Sequence, residues 1–562
     1  MKKIKLTLIA ILVNTTLQIP AQNFQWDWLQ KAPDNLSLAE NVTDNANNTY
    51  VVGYISGSCT AVGTPTYNGN AGDGIILKYD TNGTLLWTAS IGGSGSEICS
   101  GVSVDSLGNI YVTGYSSSTV VSVSSSNVTY AGGFGGFDFA MFISKFNSSG
   151  NLVYFKTVSH GDFNKVDSKI RIGSNIILLS DVIPYGCKTA FGTYSLTAKN
   201  DDAFIASFDL NANLNWVKFY STNGNDNITD LIVQKNNDIY FTGATDGQSL
   251  VIGSNTLTCP SYHTYLGFIG KMGPTGNLKW LQTINNANVG YHYYMYNDYP
   301  IFNIAALNTN AICLAFSFSS NSLSIGTNTY SSQYYDCLIA QIDSMGNYIW
   351  SKTISGNQGT GLIDIAVNKN NYIYVLGVSS STILSTSNYS IINSNPVSNL
   401  FFTAFDAQGQ DYGLIMSRRT HTITNNYIEP YSISMDSNNN GYLVGYLNSD
   451  LICGTQSITS SPQNNFFLSK IKSSNALGIK NQVETSDDFN VYPNPAKSSI
   501  NIDSRAFKNA DIKIINTFGQ VVYQKTKADL TESLDFSYLS AGIYFVNIQN
   551  KISQKTIKVI KE

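Results

Sequence analysis

The feature that most constrains this 562-residue chain is a phrase that keeps returning: an acidic or small residue, an apolar run, a turn, then an aromatic-led run. It reads DGIILKYDTNGTLLW at 73–87, DFAMFISKFNSSGNLVY at 138–154, DAFIASFDLNANLNW at 202–216, LGFIGKMGPTGNLKW at 266–280, DCLIAQIDSMGNYIW at 336–350 and LFFTAFDAQGQDY at 400–412. Apolar residues alternate on both sides of an Asn/Gly turn, the pattern of a β-hairpin. A second phrase lies between these, clearest as VSVDSLGNIYVTGY at 102–115 and echoed at 232–243, 365–377 and 433–446, and it again reads strand, tight turn, strand.

With Trp28 as the first marker, the leading aromatics Trp28, Trp87, Tyr154, Trp216, Trp280, Trp350 and Tyr412 are spaced by 59, 67, 62, 64, 70 and 62 residues. Four strands per unit, repeated radially, make a propeller, in which only short sheet edges stay open. The chain begins with a marker-type strand near 24–30 and its repeats end with a partner-type strand at 466–471. The first strand should therefore complete the last blade. The expected fold is all-β: a seven-bladed β-propeller over residues 22–472, followed by a small Ig-like β-sandwich over residues 488–562.

The stretch IGGSGSEICSGVSVDSLGNIYVTGYSSS at 91–118 resembles the bacterial SBBP repeat, named for seven-bladed propellers. The likeness fades in the third repeat, which keeps only NIILLSD at 175–181, and in the fifth, with NAICLAF at 310–316. That resemblance implies the fold and carries no catalytic residue. Near the C-terminus, Tyr492-Pro493-Asn494-Pro495, Phe518-Gly519-Gln520, the run SAGIYFV containing Gly542 and Tyr544, and a Lys-rich last strand look like the type A sorting domain of type IX secretion. This implies passage across the outer membrane in the Bacteroidetes manner by the type IX machinery, then removal of the domain with release or surface attachment.

The N-terminus fits export. Lys2, Lys3 and Lys5 precede an apolar run at 6–13 and the small Ala21, the layout of a cleavable signal peptide over residues 1–21. The apolar run is too short to span a bilayer, and no transmembrane segment is expected elsewhere. A polar linker is expected at 473–487.

Composition narrows the function. Charged residues make up only 12% of the chain, about half the usual share, and the net charge is −4. No basic stripe appears, so a nucleic-acid partner is not expected. The seven cysteines, Cys59, Cys99, Cys187, Cys259, Cys313, Cys337 and Cys453, include no Cys-x-x-Cys pair, and neither a zinc site nor a disulfide framework is indicated. Cys59 and Cys453 occupy similar places in repeats that would be neighbours in a closed ring, so a bridge there stands beside the reading of scattered buried thiols.

Catalytic patterns are not found. The histidines His160, His263, His292 and His421 have no metal-ligand spacing, and no nucleophile elbow or phosphate loop appears. Residues 436–441 (DSNNNG) resemble the opening of a calcium loop, but position twelve is Leu447, and the stretch matches the plain turn DSLGN at 105–109. No cofactor and no metal are expected, and no catalytic residue is assigned.

The most distinctive insertion is GYHYYMYNDYP at 290–300, where Tyr291, Tyr293, Tyr294, Tyr296 and Tyr299 crowd together. Tyrosine joins a flat apolar face to a hydroxyl, which suits sugar stacking and protein interfaces. The same alternation also fits a long strand packed on its neighbours. The sequence thus points to a secreted or surface-attached recognition propeller for a glycan or protein partner, with an extracellular polysaccharide-acting enzyme and a purely structural matrix component as rivals.

Overall fold

The computed structural model describes residues 24–33, 35–57, 72–123, 126–131, 139–161, 168–258, 265–284, 288–289, 301–319, 322–393, 397–419, 428–459, 465–473, 489–504, 510–516, 520–528, 533–549 and 554–562. The expected signal peptide, residues 474–487 of the expected linker, and the tyrosine insertion lie outside them. The chain divides between residues 478 and 479 into two units.

Among the described residues the first unit contains seven antiparallel sheets, each built on four strands in the order inner, second, third, outer, and three of them extended by further short strands. Blade 1 is Leu36–Thr43, Thr49–Ile55, Asp73–Tyr79 and Leu85–Gly93. Blade 2 is Glu97–Val104, Ile110–Ser116, Phe139–Phe146 and Leu152–Gly161; blade 3 is Lys169–Ile172, Ile177–Ile183, Asp202–Phe208 and Leu214–Tyr220. Blade 4 is Asp226–Val233, Ile239–Thr245, Leu266–Met272 and Leu278–Ile284; blade 5 is Phe302–Ala306, Ile312–Ser319, Asp336–Ile342 and Tyr348–Gly356. Blade 6 is Thr360–Val367, Ile373–Ser379, Asn399–Phe405 and Asp411–Met416.

Blade 7 takes Ile428–Met435, Gly441–Leu447 and Asn465–Ser473 from the end of the repeats, and its outer strand is Phe24–Lys31 from the beginning. Phe24 pairs with Ser473 and Lys31 with Phe467. Inner strands of successive blades touch, and that of blade 7 touches that of blade 1, so the ring closes. The marker strand at the start of the chain thus completes the last blade.

The second and third strands depart from simple alternation. Ile110–Ser116, Ile177–Ile183 and Asp202–Phe208 are buried at every position. Outer strands such as Leu85–Gly93 instead mix exposed and half-covered positions over their first half. The reason is that each blade is covered on both faces by its neighbours. One core joins Tyr50, Val52 and Ile76 of blade 1 to Val112 and Phe142 of blade 2, and another joins Leu38 and Ile75 of blade 1 to Val444 and Phe466 of blade 7. Each large apolar side chain buried there contributes about 1.5–3 kcal/mol.

Cys99, Cys313, Cys337 and Cys453 are buried free thiols. Cys453 therefore forms no bridge, and Cys59 lies outside the described residues.

The second unit has two antiparallel sheets. One orders Phe489–Tyr492, Ser499–Ser504 and Leu534–Asp535; the other orders Val521–Ala528, Ala510–Asn516, Gly542–Gln549 and Gln554–Lys561. Ile500 and Ile502 from the first share a core with Ile512, Ile514, Val546, Ile548 and Val559 from the second.

Candidate functional site

The ring has two unlike faces, and local sequence explains one of them. Turns between inner and second strands, and between third and outer strands, emerge together on a turn face. At Asp105 the carboxylate Oδ1 accepts the N–H groups of Leu107 and Asn109 at 2.9 Å each, while Oδ2 accepts the Asn109 amide at 2.8 Å. Asp436, in the calcium-like stretch, makes the same set, and its Oδ2 also accepts the Tyr442 hydroxyl at 3.1 Å. These are self-contained side-chain-capped turns.

The marker aromatics latch each blade to the next turn. Trp28 donates to the Thr81 carbonyl, Trp87 to Ser148, Trp216 to Pro274, Trp280 to Ser344 and Trp350 to Ala407, at 2.9–3.3 Å, and the Tyr154 hydroxyl donates to Leu210 at 3.1 Å. In every case the acceptor is the second residue of the next third-to-outer turn. Blade 7 has no such turn, because two distant chain segments meet there. Tyr412 of blade 6 accordingly gives its hydroxyl to Asp406 of its own blade, at 3.2 Å.

A second set of clasps lines the central channel. The inner strands of blades 1, 2, 4, 6 and 7 each carry a bulge, just before Glu40, Gly101, Asp230, Asp364 and Ser432. Each bulge pushes a carbonyl against the second strand, where only glycine fits: a Cβ on Gly114 would lie 1.9 Å from the Ile98 oxygen. Among the described residues the inner strands of blades 3 and 5 have no bulge, and these blades carry Asp181 and Phe316 at the positions of the glycines. These are the two blades in which the sequence repeat fades.

Side chains set by four of the bulges tie their inner edge to the next. Glu40 Oε2 accepts Val102 N–H at 2.8 Å, Asp230 Oδ2 accepts Ile304 N–H at 3.0 Å, Asp364 Oδ2 accepts Ile433 N–H at 2.8 Å and the Ser432 hydroxyl accepts Asn41 N–H at 2.9 Å. Arg171 of blade 3 bridges the channel, pairing with Glu40 of blade 1 at 3.0 Å and Asp230 of blade 4 at 3.1 Å. Burial works against the guanidinium charge, but the two carboxylates outweigh it and hold Arg171 above its ordinary value. Asp364 shifts the other way, toward its neutral form. Burial, aided by the Asp230 charge and opposed by the Ile433 N–H and the Lys169 charge, pushes it up to about 7.

The opposite, loop face carries the longer connections. Between second and third strands, short hairpins occur at Val120–Val123/Ser126–Ala131, Lys188–Phe191/Tyr194–Thr197, Ser249–Ile252/Asn255–Thr258, Leu323–Ile325/Asn328–Tyr330, Ile383–Ser385/Ser390–Ile392 and Leu451–Cys453/Gln456–Ile458. Beneath them sit buried acids. Glu97 is fully buried and pushed up to about 7 by burial, against hydrogen bonds from Ser118 and Ser116 and with help from the Asp73 charge. Asp226 rises to about 6 by burial in the same setting beside Asp202.

Tyr291, Tyr293, Tyr294, Tyr296 and Tyr299 lie outside the described residues; their segment joins Ile284 to Phe302, two strand ends on the loop face. No cluster of three or more metal-ligating side chains occurs among the described residues. Sequence reasoning missed the Glu40–Arg171–Asp230 bridge, for which the loss of repeat character in blade 3 was the only available signal.

In the second unit, Asn494 donates its side-chain amide to the Lys558 carbonyl at 2.8 Å and accepts Ile560 N–H at 2.9 Å. Ala496 exchanges backbone hydrogen bonds with Ile560 and Glu562. The Tyr492-Pro493-Asn494-Pro495 phrase thus clamps the last strand. Tyr492 is half-exposed, Tyr544 is buried with its hydroxyl on the Ser540 carbonyl at 2.9 Å, Gly542 opens the strand Gly542–Gln549, and Gly519 lies outside the described residues.

A closed ring of clasped blades joined to a small two-sheet unit defines an all-β propeller protein with an appended C-terminal module. Residues 86–120 match the family described as a beta-propeller repeat, SBBP, and residues 490–562 match the secretion system C-terminal sorting domain. The latter marks the chain for type IX secretion to the extracellular space or cell surface. No curated protein sequence matches the chain.

Solved structures similar to it include quinohemoprotein alcohol dehydrogenase from Comamonas testosteroni, at 9% identity over 85% of this chain and 80% of that one, with a TM-score of 0.37. The Pan2 WD40 domain of Neurospora crassa is 8% identical over 77% and 89%, with a TM-score of 0.35. PorZ of Porphyromonas gingivalis, a surface component of the type IX secretion system, is 10% identical over 95% and 100%, with a TM-score of 0.17. At such scores the fold rests on the chain's own strand pairing.

Proposed function

We propose that the secreted protein is a recognition propeller that binds a glycan or a protein partner through its loop face. In this reading residues 1–21 are removed on export, residues 22–472 form the recognition unit, residues 473–487 are a linker and residues 488–562 address the chain to the type IX machinery. The observation that carries it is the asymmetry of the ring. One face consists of short turns whose polar groups are spent on their own backbone and on interblade latches. The other gathers the hairpins and the attachment points of the tyrosine-rich segment. Rigid scaffold with long connections on one face is the usual layout of a binding surface. An enzymatic reading would need free acids in the channel, whereas Glu40, Asp230 and Asp364 are engaged as clasps.

The test is a binding screen of the secreted protein against polysaccharides, glycans and outer-membrane proteins, with product analysis of each hit. Saturable binding without product is expected. The double variant Tyr293→Ala, Tyr296→Ala should weaken it at unchanged melting temperature; a marked drop in melting temperature would assign those tyrosines to packing, and product formation would replace recognition by catalysis.

A further inference from the structure

The outer edges of the blades fall into two sets. At blades 1, 2 and 5 the hairpin of the following blade adds a strand to the outer edge: Ile91 pairs with Val123, His160 with Ala190 and Gly356 with Leu384. At blades 3, 4 and 6 the corresponding hairpin forms a separate two-stranded sheet, Ser249–Ile252/Asn255–Thr258 in the case of blade 3, and the strand Leu214–Tyr220 has no paired strand on its outer side among the described residues. An outer strand left unpaired presents a row of unused backbone donors and acceptors.

A cavity of about 200 Å³ opens there, lined by Lys218, Phe219 and Tyr220 of the strand, Val251 and Ile252 of the hairpin, and Leu278 of blade 4. Two of these residues set blade 3 apart: Tyr220, whose ring packs against Phe241, and Lys218. Where sister blades place Ile91, Ile284 and Ile354, blade 3 places Tyr220, whose hydroxyl is buried without a hydrogen-bond partner among the described residues. Such a group costs free energy unless a ligand satisfies it. Lys218 is exposed, lies over the Trp216 ring at 6.0 Å and pairs with no acid among the described residues.

We infer that an extended acidic peptide docks along Leu214–Tyr220, adding a strand to blade 3, seating an apolar side chain in the cavity and setting a carboxylate against Lys218. Strand addition supplies the main-chain hydrogen bonds, and the pocket supplies selectivity. The chain's own hairpins already do this at blades 1, 2 and 5. The site lies on the outer wall beside one loop-face hairpin and uses no part of the tyrosine-rich segment, so Tyr293→Ala, Tyr296→Ala and Lys218→Glu test the two readings separately.

The probe is the capped pentapeptide Thr-Val-Val-Ser-Val, the sequence that begins the hairpin strand on blade 1, together with versions headed by Asp and by Lys. With the full-length secreted protein, saturating Asp-headed peptide should slow amide exchange at residues 217–220, and it should bind about threefold tighter than the Lys-headed form, as expected of an exposed ion pair. Lys218→Glu should invert that preference, and Tyr220→Phe should weaken binding while leaving the fold intact. Unchanged exchange at 217–220, or a preference indifferent to Lys218→Glu, would overturn the inference.

Discussion

Trp350 of blade 5 donates its indole N–H to the Ala407 carbonyl at 3.0 Å and lies over Gly409, where a Cβ would stand 2.8 Å from the ring. The same relation links Trp28 to Gly83, Trp87 to Gly150, Trp216 to Gly276 and Trp280 to Gly346. In the one latch made by the smaller tyrosine, Tyr154, the turn residue is Ala212, with φ of 58°. Indole and glycine come as a pair because the ring needs the space and the turn needs positive φ.

Gly409→Ala should therefore destabilise the propeller by about 1–3 kcal/mol, combining left-handed strain at φ 77° with displacement of the indole. Ala212→Gly should be neutral or mildly stabilising. Guanidinium unfolding of the two variants checks both.

Removing the channel cation should be costly. Arg171→Met leaves Glu40 and Asp230 facing each other without their partner, and the side chains of all three are at most one-quarter exposed. A loss of about 2 kcal/mol or more is expected, below the figure for a wholly buried pair. Glu40→Gln in that background should recover part of it, whereas independent, additive losses would show that the three do not act as one bridge.

Stability should depend on pH in the direction set by the raised carboxyls. Glu97 in the folded state titrates near 7 against 4.5 for an unperturbed glutamate, so folding binds its proton more tightly. Its contribution is fully present below about 4.5 and is lost as pH rises through 7. Asp226, near 6, and Asp364, near 7, act in the same sense. The melting temperature should fall between pH 5 and pH 8, and Glu97→Gln should flatten that slope; a melting temperature that rises over the interval would refute the assignment.

Export should depend on the clamp at the C-terminal unit. Deleting residues 490–562 should retain the chain inside the cell envelope, read by immunoblot of culture medium and fractions. Asn494→Ala, which removes two hydrogen bonds to the last strand, should cost that unit about 1 kcal/mol and lower the secreted fraction without abolishing it.

How much of this was legible follows from the range of each interaction. The turns at Asp105 and Asp436 are satisfied within five residues, so DSLGN and DSNNN declare them outright. The marker aromatics stood out because every blade repeats them, although their carbonyl acceptors could not be read from any one repeat. Strand alternation misled for the second and third strands: burial on both faces by neighbouring blades removes the polar positions that alternation requires.

The sequence by itself determined the local hairpins, their number, the offset that lets Phe24–Lys31 close blade 7, and the sorting module, because each depends on short-range pattern repeated along the chain. Only the tertiary structure decided which glycines answer an inner-strand bulge, which blade was left without a seventh latch, and that Arg171 meets Glu40 from 131 residues away. Those are contacts made when the ring closes, and ring closure juxtaposes residues whose separation along the chain carries no trace of their meeting.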